Sequence, residues 1–275
     1  MTLESAERVQ DEDGRQYHIG LARGEVAPRI LLVGDPARAD RVAQRFDDVR
    51  LTRTNREYVT HTGTCGGRDV TVMATGMGPD NTEIAVMELL QCGEDPIMIR
   101  VGSSGALQAG IGLGDAVIST GSLRLESTSL GFVEEGYPAL AHREVVLALV
   151  SAATELGEPW HEGVTATAPG FYGYQGRKGG AIPPRHPDLP ERLAAQGVLN
   201  FEMEASTLFT LGSLGRFRTG AVCAVFANRS DNLFIAKGEK GPAEERAISI
   251  ALRALDYLDA MDVSGRPFTL DPDVL

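Results

Sequence analysis

The chain has 275 residues, of which 43% are apolar, enough for one large domain or two small ones with a sizeable core. Its 26 Lys and Arg stand against 38 Asp and Glu, a net charge of −12, the opposite of the basic face a nucleic-acid binder needs. Cys65, Cys92 and Cys223 are isolated, with no Cys-x-x-Cys and no His pair nearby, which argues against a structural zinc and a disulfide framework.

Met1 to Gly14 is polar and acidic, unlike a secretory leader, and is expected to be flexible. No apolar run reaches the length of a membrane span. A soluble cytoplasmic protein without a membrane or nucleic-acid partner is expected. Lys occurs only at Lys178, Lys237 and Lys240, so an anionic ligand must be held by local arginines against an unfavourable overall field.

The first buried strand is predicted at 29–33, Arg-Ile-Leu-Leu-Val, followed by Gly34-Asp35-Pro36 and a helix over about 37–46. A second strand is predicted at 69–74. Gly76-Met77-Gly78-Pro79-Asp80 then turns into a helix through about Gln91. Strands follow at 97–101 and 115–119, a helix at 143–156 and a strand at 162–166. A helix is expected over 201–214, a strand over 219–226 and a last helix over 242–259. Strand and helix alternate throughout, which predicts an α/β fold with a central sheet covered by helices. Ligands of such folds bind in loops beyond the carboxyl ends of strands, where the Gly-rich turns lie. Two stretches resist this reading. Residues 122–140 have weak periodicity, and 172–190 is a Gly- and Pro-rich loop of the length that is usually functional.

Gly34-Asp35-Pro36-Ala37-Arg38 is a strand-to-helix turn. Gly34 lets its N–H approach an anion closely, with Arg38 one turn on; equally, Asp35 can cap the helix and Pro36 open it. Gly76-x-Gly78 lacks the third glycine of a dinucleotide fingerprint. Arg100 closes an apolar run and opens Gly102-Ser103-Ser104-Gly105, a set of N–H and hydroxyl donors suited to an oxyanion. A buried guanidinium at a strand end needs a partner, so an internal ion pair is the other reading. Gln175 two residues before Arg177 offers a donor and acceptor beside a pure donor, which can read the edge of a planar heterocycle such as uracil. Glu202 and Glu204 flank Met203 near a helix start. At i and i+2 on a helix they would point apart and not share one job. Asn228-Arg229-Ser230-Asp231 is a polar strand end, and His18 and Arg56 stand apart in the N-terminal third.

In this order the motifs resemble the nucleoside phosphorylase family of hexameric and trimeric α/β enzymes. The resemblance runs from Tyr17-His18-Ile19-Gly20 to the last helix. It implies one domain over 1–275, a three-layer α/β/α fold with a central mixed sheet. It also implies phosphate as co-substrate, bound by Gly34, Arg38, Arg100 and Ser103, with Arg56 reaching in from a neighbouring subunit. Glu204 would accept the ribose 2′- and 3′-hydroxyls, Met203 would pack on the sugar with Glu202 nearby, and the neighbour's copy of His18 would meet the 5′-hydroxyl. Phe171-x-x-x-Gln175-x-Arg177 is similar to the uracil-reading insert of the family's uridine-cleaving branch. Phe171 would stack beside the base, Gln175 and Arg177 would bond its edge, and Arg229 would support it. Catalysis would then rest on Arg100, Glu204, Gln175 and Arg177. The resemblance further implies a homohexamer with shared sites, no redox cofactor, and a structural K+ near Glu57, Met77 and Asn81.

The chain departs from the family pattern at Tyr174 and Gly176 and over 178–184. Ser230-Asp231 also resembles the Ser-Asp pair with which purine-specific members protonate their base. The rival readings are a purine nucleoside phosphorylase, a nucleosidase that uses water, and a silent nucleoside-binding protein.

Overall fold

The structure is a computed structural model that describes residues 7 and 9–264. Of the stretch 1–14 expected to be flexible, residues 1–6 and 8 lie outside the described residues. Gln10 bridges Gln16, and Asp11 accepts the N–H groups of Asp13 and Arg15 at 3.0 and 2.9 Å, which makes a tight turn. Strand β1 is Arg29–Val33. Helix α1, Pro36–Ala43, is opened by Asp35, whose carboxylate accepts the Ala37 N–H at 3.0 Å, with Pro36 in the first turn. Strands β2 (Asp48–Asn55) and β3 (Tyr58–Cys65) form a hairpin, and β4 is Arg68–Ala74. Helix α2 (Pro79–Cys92), β5 (Ile97–Ala106) and β6 (Ala116–Arg124) follow. The weakly patterned stretch 122–140 holds a short 3-10 turn, Thr128–Gly131, and the two-residue strand β7, Ala139–Leu140. Then come α3 (Arg143–Glu155), β8 (Trp160–Thr167), α4 (Leu189–Ala195) and β9 (Asn200–Glu202). The chain closes with α5 (Ala205–Gly215), β10 (Arg218–Asn228), β11 (Leu233–Phe234) and α6 (Lys240–Ser264).

The strands form one mixed sheet in the order β2-β3-β4-β1-β5-β9-β8-β6-β10-β11, with β7 on β6. Strands β4, β1, β5 and β10 run parallel through its centre. They read as continuous apolar runs because both faces are covered. Leu31 and Val33 pack toward α1, α3 and α6, with Ile99, Val145, Leu149, Ile248 and Leu255. Ile30 and Leu32 point the other way, toward Val86 and Leu89 of α2 and Leu208 and Phe209 of α5. The expected single α/β fold with a mixed central sheet between helices is therefore observed. The pairing of β10 with β5 adds a feature the sequence pattern does not carry: β5, β9, β8, β6 and β10 close into a ring. Among the described residues no helix is long and apolar enough to cross a membrane.

Two local expectations are corrected. The strand predicted to end at 101 continues through residues 102–105, because β10 pairs along β5 as far as Ala106. The helix expected from Phe201 starts at Ala205. Residues 200–202 are instead the strand β9, wedged between β5 and β8, with Phe201 buried.

Candidate active site

On one side β5 pairs with β1 at Ile97 to Arg100 and with β9 at Gly105 and Ala106. Between these, 101–104 has no ladder partner on that side. A cavity of about 640 Å³ opens at this gap, walled by the carboxyl ends of β1, β4, β5, β9 and β10 and by the first turns of α6.

Arg100 leaves β5 into that gap and is buried. Its Nε donates to Glu202 Oε2 at 2.8 Å, and its Nη2 lies 2.5 Å from Glu204 Oε2. The two carboxylates thus share one guanidinium, contrary to the expectation that they would point apart. That expectation assumed a helix, whereas Glu202 ends a strand and the chain turns before α5. Glu202 is heavily engaged: Oε1 accepts from Thr167 Oγ1 at 2.5 Å, and Oε2 also takes the N–H groups of Glu204 and Ala205. It lines the cavity with most of its acceptor capacity already used within the chain. Glu204 Oε1 accepts the Gly78 N–H at 2.7 Å, while its buried Oε2 receives no aligned hydrogen bond, despite the nearby Arg100. Burial raises the Glu204 carboxyl above its ordinary value, and Arg100 opposes that rise. Burial also works against the Arg100 charge, but Glu204 and Glu202 outweigh it and leave the guanidinium above its ordinary value. Cys223, behind Arg100, is fully buried, and burial pushes its thiol up to about 12.

Gly102 is what lets Arg100 lie flat. A Cβ there would sit 2.8 Å from both Arg100 Nη2 and Cys223 Sγ. Gly102→Ala should displace the guanidinium and destabilise the fold by about 1–3 kcal/mol, the usual cost of overpacking. Thermal unfolding together with ligand affinity checks this; an unchanged melting temperature would show that Arg100 has room to move.

Arg38 reaches the gap from the other face of the sheet. Its Nη1 donates to the Val101 carbonyl at 3.1 Å and its Nη2 to Glu244 Oε1 at 2.8 Å. Glu244, on α6, also pairs with Arg41. Sequence reading missed Glu244 because Glu244-Glu245-Arg246 looks like a solvated helix face. Only the apolar residues around it, Ala243, Ala247 and Ile248, mark its side of the helix as buried. Gly34 and Ser103 line the cavity, and so does Ser104, whose buried hydroxyl has no partner among the described residues. Lys240 was also missed; it lines the cavity with Nζ 5.0 Å from the Phe234 ring centre.

The loop after β8 forms the opposite wall. Gln175 is buried, with Nε2 toward the Ala168 carbonyl and Oε1 accepting from Arg177 Nη2, both at 3.4 Å. Arg177 donates from Nε to the Phe171 carbonyl and lies over the Phe171 ring at 3.7 Å. Phe171 therefore carries the arginine on its face. Burial, followed by the like charge of Arg229, pulls the Arg177 guanidinium down to about 10, so it stays charged at neutral pH. Arg229 donates to the Gln175 carbonyl at 3.0 Å and faces an adjoining cavity, beyond Phe171, Arg177 and Phe234. Asn228 is an anchor, its amide donating to the Gln108 and Ile111 carbonyls. Asp231 is exposed and lines neither cavity.

Gly34, Arg38, Arg100, Ser103, Phe171, Gln175, Arg177, Glu202, Met203 and Glu204 thus converge on one cavity. His18 and Arg56 do not join it within the chain. His18 Nδ1 sits 2.6 Å from Glu88 Oε1 on α2, and Arg56, exposed at the β2–β3 turn, lies over the Tyr17 ring. Asn55 ties that patch together by donating to the Tyr17 and His18 carbonyls.

The sequence profile of the phosphorylase superfamily matches residues 28–258. The uridine phosphorylase of Thermococcus kodakarensis is 47% identical over 241 residues, 87% of each chain. That of Treponema pallidum is 37% identical, covering 90% of this chain and 95% of the relative. A guanosine phosphorylase of Halorubrum lacusprofundi is 32% identical, covering 89% and 99%.

Proposed function

The chain belongs to the phosphorylase superfamily, and we propose that within it this enzyme carries out the reversible phosphorolysis of uridine to uracil and ribose 1-phosphate. It is a pentosyltransferase, and its substrates are the nucleoside and phosphate. The observation that carries the reading is one cavity with two buried arginines, Arg38 and Arg100, at one end and the Gln175–Arg177 pair at the other. Phosphate would sit against Arg38, Arg100, the Gly34 N–H and the hydroxyls of Ser103 and Ser104. Glu204 would accept the ribose hydroxyls at Oε2, beside Arg100 Nη2, with Met203 against the sugar. As the C–N bond loosens, the sugar gains oxocarbenium character and the anionic phosphate beneath it stabilises that charge. The departing uracil takes the bonding electrons and becomes negative on its oxygens. Arg177 and Gln175 stabilise that charge more in the transition state than in the ground state, which is what accelerates the step. No covalent enzyme nucleophile is required.

Four basic side chains of the cavity, Arg38, Arg100, Arg177 and Lys240, face four acidic ones, Asp35, Glu202, Glu204 and Glu244. A phosphate dianion gains little from a lining that is neutral in sum. A further cation from a second copy resolves this, and exposed Arg56, beside the partly buried His18, is the candidate supplier. The proposed assembly is a homohexamer, a trimer of dimers, working in the cytoplasm. Light scattering should give a multiple of 29.4 kDa at every concentration that supports turnover. A fully active monomer would contradict the shared site. Glu57 and Asn81 both approach Gly76, Asn81 through its amide nitrogen; with that amide turned over, its oxygen and the Glu57 carboxylate would suit a monovalent cation such as K+ beside Met77. Such an ion would stitch subunits together without entering the chemistry.

The deciding experiment is base release from uridine, thymidine, inosine and adenosine with and without phosphate. Uridine cleavage should require phosphate. Equal turnover in phosphate-free buffer would move the enzyme to the hydrolases.

A further inference from the structure

We propose that Glu244 is a positioning residue of the phosphate site: its carboxylate sets the direction of the Arg38 guanidinium, and phosphate affinity depends on it. The inference rests on the phosphorylase reading of the cavity. Arg38 lies in the first turn of α1, and a side chain of that length has many rotamers open to it. Two anchors remove that freedom. The Val101 carbonyl, in the stretch of β5 that lacks a partner on the β1 side, takes Nη1 at 3.1 Å, and Glu244 Oε1 takes Nη2 at 2.8 Å. Together they hold the fork across the end of the sheet, with the buried Nε left without a partner among the described residues.

The two anchors are not equivalent. A carbonyl fixes a position, whereas a carboxylate also compensates a charge that has been taken out of water. Arg38 needs that compensation, because it is buried and shares the cavity with Arg100. Glu244 is itself an exception on its helix. It is the only charged side chain among the buried residues of α6, which are otherwise Ala, Ile, Leu and Met. A buried carboxylate on an apolar helix face costs stability unless paired, and its partners here are Arg38 and Arg41. Without Glu244 the Arg38 fork has other carboxylates to turn to, since Asp35 and Glu204 line the same cavity.

The test uses the full-length protein and separates the two substrates. Phosphate KM, uridine KM and kcat are measured for wild type, E244Q, R38M and the double variant, with calorimetric titration of inorganic phosphate and melting temperatures alongside. A residue acting only through Arg38 should raise phosphate KM about tenfold or more in E244Q, leave uridine KM within about twofold, and add nothing once Arg38 is gone. Should E244Q fail to fold, E244D carries the charge one methylene short and should show the same split with a smaller rise. The inference fails if both KM values rise together, if phosphate KM does not change, or if E244Q keeps its full effect in the R38M background. Wild-type turnover without phosphate would remove the phosphorylase reading and this inference with it. A phosphate-dependent wild type with an unaffected E244Q removes only the role of Glu244.

Discussion

Arg100→Met should reduce kcat/KM for uridine phosphorolysis by about 10³ or more, roughly 4 kcal/mol of transition-state stabilisation. It should also cost about 3–5 kcal/mol of stability, the usual result of leaving buried carboxylates without their cation. Both effects follow from one arrangement. Arg100 is the shared partner of Glu202 and Glu204, all three buried, and it points into the gap between β1 and β9. Removing it would delete the central contact of the proposed phosphate site and leave two buried carboxylates without their shared cation. The Glu204 carboxyl, which burial raises and Arg100 would no longer oppose, would then hold its proton to higher pH in the folded than in the unfolded state. A folded state that binds more protons loses stability as pH rises. The variant should therefore melt closest to wild type near pH 5 and fall away from it toward pH 8. Thermal unfolding across that range, with phosphate and uridine kinetics at its centre, reads both effects. A variant that loses melting temperature but keeps wild-type phosphate and uridine kinetics would mean that Arg100 is only a structural ion-pair partner.

The α/β architecture was legible because parallel strands buried on both faces, such as 29–33 and 97–101, are unbroken apolar runs. Strand β2 was not, because at the sheet edge it is polar along most of its length. Strand β9 is three residues long and owes its extended form to its place between β5 and β8, a contact no local pattern encodes. The same limit explains the site. Arg100 and Glu204 were singled out from short local motifs, and Arg177 from the spacing of its Gly-rich loop. Glu244 and Lys240 were not, because their side chains meet the cavity only after α6 packs across the sheet, about 140 residues after the Arg100 motif. His18 and Arg56 were singled out by resemblance alone, and within one chain they form a patch of their own.

Base choice is the second large effect. Arg177→Ala should reduce kcat/KM for uridine about 10²–10³-fold, the scale of losing one charged donor to a developing anion. Gln175→Ala should lose about 1–3 kcal/mol, the cost of leaving polar groups on the base unsatisfied. The asymmetry has a structural basis. Gln175 is buried and its amide already lies near the Ala168 carbonyl and Arg177, so a base would exchange one set of weak bonds for another. Arg177 is half-buried without a carboxylate partner among the described residues, beside the like charge of Arg229. An anion arriving at it meets a cation that nothing else neutralises. Uridine should therefore be preferred over inosine and adenosine, because a site built to bond particular base atoms rejects ligands that leave those groups unpaired. The control is Asp231→Asn. Asp231 is exposed and lines neither cavity, so the variant should stay within about threefold of wild type, the range of a surface change of ±0.5 kcal/mol or so. If Asp231→Asn abolishes turnover and inosine proves the better substrate, Asp231 swings inward to protonate a purine. The loop carrying Phe171, Gln175 and Arg177 would then have some other task than reading uracil.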